Sequence, residues 1–232
     1  MLLETRGLTA FYGDFQALYG IDTQVAAGET VAIIGANGAG KSTYLKSIAG
    51  LVRAAADHVI FDGEPIGALS AAAVMKLGVA LVPEGRRLFA SLTVEENLLI
   101  GRYGRSVAGY WSLPRVYELF PALAERRRTP SHLLSGGQQQ MAAIGRALMS
   151  NPRVLLCDEI SLGLAPIVIR DLYQALARIK DNGTSLVLVE QDIVQAMTVA
   201  DRVYCFQEGR VSLLGRPSEL SREQIHIAYF GS

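Results

Sequence analysis

A stretch near the start of the chain has the residue types and spacing that phosphate binding requires. Residues 35–43 read GANGAGKST, the G-x-x-x-x-G-K-S spacing of the Walker A phosphate loop. Glycines let the backbone wrap tightly, so that successive N–H groups face an anion. Lys41 is expected to reach the β- and γ-phosphates of a nucleoside triphosphate, and Ser42 to hold Mg²⁺. The residues expected to bind the nucleotide are Gly35, Asn37, Gly38, Ala39, Gly40, Lys41, Ser42 and Thr43.

The flanks of this loop are those that a phosphate site needs. Residues 30–34 are apolar and rich in β-branched side chains, which predicts a strand before the loop. Residues 44–49 predict a helix that closes at Gly50. The amino end of such a helix favours an anion, because its N–H groups are unpaired. A chance glycine-rich turn is the alternative, and the spacing, the lysine, the hydroxyl and both flanks argue against it.

A pair of carboxylates ends a second apolar segment. Residues 154–157 read VLLC and are followed by Asp158 and Glu159, the Walker B pattern. Successive side chains of a strand point in opposite directions, so the two acids are expected to face different partners. Asp158 would hold Mg²⁺ through water, and Glu159 would face an attacking water molecule. An acidic turn after a strand is the alternative interpretation.

A glycine-rich segment, LSGGQ at residues 134–138, opens a third helical stretch. Taken alone it predicts a helix N-cap followed by flexible glycines. Beside a complete phosphate loop it indicates a second anion site, since a helix N-terminus with a serine hydroxyl also attracts phosphate. The chain's own nucleotide would already be bound by the phosphate loop, so this second half-site is not needed for it. It therefore implies a partner chain whose nucleotide Ser135, Gly136, Gly137 and Gln138 complete.

The elements that must position these residues alternate between strand and helix. Residues 1–30 carry turn glycines at intervals, which predicts short antiparallel strands. Residues 85–150 are mostly helical, with a capping box at Thr93 and a helix from Pro114 to Leu123. Strands separated by helices in the remainder predict a parallel sheet. We therefore expect an α/β P-loop NTPase core over 1–84 and 151–232 with an antiparallel β subdomain, and a helical subdomain over 85–150.

Composition narrows the class of protein. Of the 232 residues, half are apolar, and 22 basic residues balance 22 acidic ones, so no global field attracts nucleic acid. The chain contains no run of about 18 apolar residues, so we expect no membrane span. The apolar stretch at its first residues is too short and too polar for a signal peptide. Cys157 and Cys205 lie in apolar and aromatic runs, which favours buried thiols over a disulfide. We expect a chain on the cytoplasmic side.

The order of these motifs, over essentially the whole chain, resembles the ATP-binding cassette subunits of ABC transporters. Three segments are similar to the LivF type of cassette, one of the two that drive branched-chain amino acid importers. They are VPEGRRLF at 82–89, SLGLAP at 161–166 and VEQ at 189–191. Cassettes of urea and other amide or amino-acid importers look much alike. The resemblance implies ATP hydrolysis coupled to transport, with ATP and Mg²⁺ as cofactors.

The resemblance also assigns residues that spacing alone does not. It implies that Tyr12 stacks on adenine, with a packing tyrosine as the alternative. Gln191 stands where most cassettes have a switch histidine, and its amide can still donate to the γ-phosphate. Glu84 replaces the usual glutamine, so it would pair with the metal, be protonated or face the membrane subunit. Ile160 and Ala165 replace a proline and an aspartate that are usual after Walker B.

The partners follow from the same resemblance. It implies a second cassette, identical or different, two transmembrane permease subunits and, indirectly, an extracytoplasmic substrate-binding protein. The chain would lie peripherally on the cytoplasmic face of the membrane. A soluble ABC ATPase acting on DNA or ribosomes is one rival, although neither a tandem cassette nor a long coiled coil is present. A regulatory module with little hydrolysis is the other, suggested by Glu84, Gln191 and Ala165.

Overall fold

The computed structural model describes residues 1–103 and 109–230. Residues 104–108 of the expected helical segment and 231–232 of the expected core lie outside the described residues. In chain order the elements are β1 (Leu3–Tyr12), β2 (Phe15–Val25), β3 (Thr30–Ile34), α1 (Lys41–Ile48), β4 (Val59–Phe61), β5 (Glu64–Pro65), α2 (Ala71–Leu77), β6 (Val79–Val82), α3 (Val94–Ile100), α4 (Leu113–Leu119), α5 (Pro121–Glu125), α6 (Gly136–Leu148), β7 (Val154–Asp158), α7 (Pro166–Asp181), β8 (Ser185–Val189), α8 (Ile193–Val199), β9 (Arg202–Gln207), β10 (Arg210–Gly215) and α9 (Arg222–Phe230).

The strands form two sheets. An antiparallel sheet has the order β2-β1-β4-β5, and a six-stranded sheet has the order β10-β9-β3-β8-β7-β6. In the larger sheet β9, β3, β8, β7 and β6 run parallel, and β10 pairs antiparallel with β9. Every residue of β3, β7 and β8 is buried, as expected of parallel strands covered on both faces. The mostly parallel α/β core and the antiparallel β subdomain predicted from the sequence are confirmed.

The first two strands are longer than the glycine pattern predicts. The expectation of short strand pieces over residues 1–30 is wrong, because β1 and β2 pair over almost their whole length. The register shifts near Gly7 and Gly20, both of which have positive φ, at 53° and 82°. Glycines in this conformation form bulges that bend a strand without ending it.

The helix expected from Pro114 to Leu123 is instead two helices, so this prediction is also wrong. Helix α4 ends at Leu119 and α5 begins at Pro121, with Phe120 between them at φ −128° and ψ 77°. A proline lacks the N–H that would continue the helix, and its ring excludes the residue before it from helical geometry.

Helix α1 lies between the two sheets, and this placement sets the position of the phosphate loop. Its side chains Tyr44, Leu45 and Ile48 belong to one buried cluster with residues of β1, β2 and one face of the larger sheet. The other face of that sheet is covered over β6 to β8 by α3 to α7, whose buried residues form a second cluster, and over β3 and β9 by α8 and α9, which form a third. No helix among the described residues has the length and apolar character needed to cross a membrane.

Parallel pairing brings the chemically active segments to one edge of the larger sheet. Ile33 of β3 is in register with Val189 of β8, and Val189 is in register with Asp158 of β7. The segments that follow these strands are therefore neighbours, and ligands of open α/β sheets bind at this edge. The edge carries the phosphate loop, the Asp158-Glu159 pair and the Glu190-Gln191 pair.

Candidate nucleotide site

The phosphate loop places a free helix N-terminus at this edge. Gly40 is the N-cap of α1 at φ 96°, and no side chain caps the helix, so its first amides are left for an anion. Gly35 allows the loop to fold, because a Cβ there would clash with the carbonyl oxygen of Phe206. The loop therefore requires glycine at this position, and the free amides at the start of α1 form the anion cradle.

Lys41 is held inside the loop. Its side chain is only 4% exposed, and Nζ donates to the carbonyl oxygens of Gly35, at 2.7 Å, and Ala36, at 3.1 Å. Burial lowers the pKa of this ammonium group, while the charges of Glu159 and Asp158 act in the opposite direction. The Oε1 atom of Glu159 lies 3.9 Å from Nζ. A cation is thus fixed against the cradle that an anion would enter.

Ser42 and Asp158 form the part of the site that fits a hard cation. The Ser42 hydroxyl donates to Oδ1 of Asp158 at 2.9 Å. Asp158 is 3% exposed, and its burial raises the pKa of the carboxyl group despite this hydrogen bond. The described residues contain no group of three or more His, Cys, Asp or Glu side chains able to hold a metal ion. A cation at this pair would need further oxygens, which phosphate and water commonly supply to Mg²⁺.

Glu159 has a different hydrogen-bond partner from Asp158 and is held by Gln191. Glu159 adopts a left-handed φ of 48°, which redirects the chain directly after β7. The Gln191 amide Nε2 donates to Oε2 of Glu159 at 2.6 Å. The sequence suggests that this amide meets the γ-phosphate, whereas here it orients the carboxylate. Glu159 therefore has a fixed direction toward the cavity.

A cavity of about 900 Å³ unites most of the residues expected from the sequence. Those that line it are Tyr12, Asn37, Gly38, Gly40, Lys41, Ser42, Thr43, Glu84, Glu159 and Gln191. Gly35 and Ala39 are buried in the loop behind this lining, and Asp158 is reached through Ser42. Glu84 is exposed at the cavity wall, which leaves its carboxylate within reach of solvent.

The outer wall of the cavity is aromatic and extends beyond Tyr12, the one wall residue expected from the sequence. The Tyr12 hydroxyl lies 3.4 Å from Oγ1 of Thr43, and exposed Phe15 and Tyr19 line the same wall. The concentration of aromatic residues on both sides of Gly13 is the sequence signal for this wall. Further lining residues without a sequence prediction are Gln16, Ala17, Leu162, Glu208 and Gly209. The wall offers aromatic faces suited to a flat ring.

The LSGGQ segment does not line this cavity. Ser135 is the N-cap of α6, where its hydroxyl accepts from the Gln138 amide and the Gln138 side chain accepts from the Ser135 N–H. Ser135 is exposed, so its hydroxyl hydrogen can be donated outward. Gly137 packs closely on α7, where a Cβ would lie 2.5 Å from Cγ1 of Val168. Within one chain the segment is a surface helix terminus separate from the cavity.

Comparison with known proteins identifies the family to which the chain is similar. The family profile described as ABC transporter matches residues 18–161. The chain is 42% identical over 226 residues to the high-affinity branched-chain amino acid transport ATP-binding protein BraG of Pseudomonas aeruginosa, covering 97% of both chains. It is 33% identical to the probable branched-chain amino acid transport ATP-binding protein LivF of Archaeoglobus fulgidus, covering 94% of both.

Solved structures share the fold. A nucleotide-free ATP-binding cassette from an ABC transporter superposes with a TM-score of 0.84 at 27% identity, covering 98% of this chain and 94% of that one. A dimeric cassette in a post-hydrolysis state, bound to ADP and phosphate, superposes with a TM-score of 0.80 at 25% identity. The superposition covers 93% of this chain and 98% of that one. With the phosphate loop, the paired acids and the LSGGQ segment in place, the chain belongs to the ABC transporter family as an ATP-hydrolysing cassette.

Proposed function

We propose that this cassette powers an importer of branched-chain or related hydrophobic amino acids. The observation that carries the proposal is the end-to-end similarity to BraG, whose name states that transport activity. The geometry supports the ATP-hydrolysing part of this function. A buried lysine, a pair formed by a serine and a carboxylate, and a glutamate held by Gln191 lie around one cavity. The cargo itself need not touch the cassette.

The chain's residues have distinct tasks in hydrolysis. The loop amides and Lys41 bind the phosphates, and Tyr12 stacks on the adenine ring. Glu159 accepts a proton from the attacking water or orients it, and Gln191 keeps the carboxylate in position. Ser42 and Asp158, with Glu84 at the cavity wall, would hold Mg²⁺, which supplies neutralisation of phosphate charge. Water attacks the γ-phosphate in line, so that ADP and phosphate result.

A second cassette completes the site. Ser135 to Gln138 form a helix terminus that lies outside this chain's own cavity, which supports a role at the γ-phosphate of a nucleotide held by another chain. The dimeric form of the related post-hydrolysis cassette supports the same arrangement. Ser135 and Gly137 would then neutralise phosphate charge across the interface.

We expect ATP to drive this association. Glu159→Gln protein in Mg·ATP should double in mass by light scattering, alone or mixed with a second cassette, because the nucleotide joins the two surfaces. Adding Ser135→Ala should abolish the change. Ser70→Ala is the matched control, since Ser70 caps α2 by the same hydrogen bond away from the cavity and the LSGGQ segment. An unchanged mass for Glu159→Gln protein under all conditions would contradict the proposal.

An apolar groove supports attachment to a permease subunit. A cavity of about 300 Å³ lies between the core and α3 and α6, and Leu51, Phe89 and Ile100 are exposed within it. Phe89 and Glu84 belong to one segment, which therefore runs from the groove to the nucleotide cavity. A permease segment with apolar side chains would fill the groove and place the cassette on the cytoplasmic face of the membrane.

The groove also supports a division of the chain into two parts. We assign residues 1–84 and 151–232 to the core, and residues 85–150 to the helical subdomain.

Uptake measurements test the importer proposal. Cells that lack this chain should lose uptake of radiolabelled leucine, isoleucine or valine, and the wild-type chain should restore it. Leu51→Glu should fail to restore uptake while ATP binding persists, because a charge enters the groove. Leu214→Glu is the matched control, since Leu214 is 51% exposed, similar to Leu51 at 60%, and lies outside the groove. Loss of urea uptake with normal leucine uptake would favour the urea or amide importer instead.

A further inference from the structure

A buried carboxyl group lies directly beside the residues that the hydrolysis scheme uses. Glu190 follows β8, is 2% exposed and precedes Gln191 in the chain. Its Oε2 accepts a hydrogen bond of 2.6 Å from the hydroxyl of Ser161. Ser161 lies in the segment after β7, as Glu159 does, and Glu190 lies in the segment after β8, as Gln191 does. The Ser161 to Glu190 bond and the Gln191 to Glu159 bond therefore join the same two segments. The phosphate scheme assigns no task to Glu190.

The surroundings of Glu190 make it costly to keep as a packing residue. Tyr173 interacts with this carboxyl group, but among the described residues neither its hydroxyl nor Oε1 of Glu190 makes a hydrogen bond of good geometry. Burial raises the pKa of both groups. A buried polar group that is only partly paired destabilises a fold, and an apolar residue of similar size would avoid that cost. The cost suggests a function at this position.

We propose that Glu190 and Ser161 form a positioning pair that fixes the direction of the Glu159 carboxylate through Gln191. The inference rests on the proposed role of Glu159 in hydrolysis. Neither residue touches the substrate cavity, so neither is catalytic.

The backbone shows why such a pair is needed. The Glu159 N–H donates to the Val189 carbonyl, and the Glu190 N–H donates to the Ile33 carbonyl, which anchors both segments where they leave the sheet. Beyond these anchors the segments are irregular, and Glu159 sits at a strained positive φ. The Ser161 to Glu190 and Gln191 to Glu159 bonds form two cross-links between them. With the first cross-link removed, the second remains, so the Glu159 carboxylate is held less firmly.

Loss of the pair is expected to affect kcat and leave ATP binding unchanged. Misplacement of a reacting group by about 1 Å can lower a rate by about 100-fold, so Glu190→Ala should lower the single-turnover rate by about 10- to 100-fold. Glu190→Gln should recover most of the rate, because its amide oxygen still accepts from Ser161. Ser161→Ala should resemble Glu190→Ala, and the double variant should be no slower than the slower single variant.

The experiment uses the full chain with its partner cassette and Mg·ATP. Single-turnover hydrolysis is measured beside equilibrium binding of a fluorescent ATP analogue, with thermal unfolding as the check on folding. Ser185→Ala is the matched control, because Ser185 is also buried and lies at the opposite end of β8, where it binds Ala26 and Gly28. It should lower stability without lowering the rate. Glu159→Gln is run in parallel to test the underlying assignment.

Each outcome has a defined meaning. A slow Glu190→Ala with normal affinity, rescue by glutamine and a non-additive double variant support the positioning pair. Full activity of Glu190→Ala, or equal loss in Glu190→Gln and Glu190→Ala, overturns it. If Glu190→Ala does not fold, Ser161→Ala decides alone, and a wild-type rate there overturns the proposal. If Glu159→Gln hydrolyses ATP normally, the assignment of Glu159 fails, and the positioning pair fails with it.

Discussion

Replacing Glu159 with glutamine is expected to slow ATP hydrolysis by about 10²- to 10⁴-fold, the usual contribution of a general base. Glutamine keeps the shape of the side chain, and its carbonyl oxygen still accepts from Gln191. It cannot accept a proton from water. Because the change removes an interaction of the transition state and not of bound ATP, ATP affinity should change little. Single-turnover hydrolysis measured beside equilibrium ATP binding distinguishes the two effects.

Asp158→Asn is the comparison that separates the two acids. In the parent protein the buried carboxylate of Asp158 accepts from the Ser42 hydroxyl and not from Gln191. Its loss should therefore weaken Mg²⁺ dependence and nucleotide binding together. If Glu159→Gln instead hydrolyses ATP at the parent rate, Glu159 is not the base. Glu84, which also lines the cavity, then becomes the next candidate.

Lys41→Ala is expected to remove most of the affinity for ATP. Hydrogen bonds to charged groups contribute about 1.5 to 3 kcal/mol, roughly a 10- to 150-fold change in dissociation constant. The effect should be at the upper end, because the ammonium group is buried against the cradle and little water replaces it. A titration with a fluorescent ATP analogue measures the change.

Lys46→Ala provides the control for Lys41→Ala. Lys46 lies on the same helix but does not line the cavity, so its loss should leave affinity nearly unchanged. Thermal unfolding of both variants excludes a general loss of structure. Equal affinity of the Lys41→Ala and parent proteins would show that the phosphate site lies elsewhere.

Local patterns were sufficient for the motif-bearing elements. The strand before the phosphate loop, the capping box at Thr93 and the helix N-cap at Ser135 all form where the sequence predicts them. Each depends on hydrogen bonds between residues close in the chain and on side-chain periodicity, which are visible in sequence. The failures at residues 1–30 and at Phe120 have local causes too. Gly7 and Gly20 bulge a strand without ending it, and Pro121 interrupts a helix.

The sequence by itself determined the chemistry of this protein, because the phosphate loop, the paired acids and LSGGQ are contiguous motifs. Only the tertiary structure decided how they meet. Ser42 and Asp158 are 116 residues apart, and Glu159 and Gln191 are 32 apart, yet each pair is hydrogen-bonded. These contacts depend on the order and register of parallel strands, which is set by packing between distant segments and leaves no local signature. The Ser161 to Glu190 bond has the same origin, since it follows from β7 and β8 ending side by side.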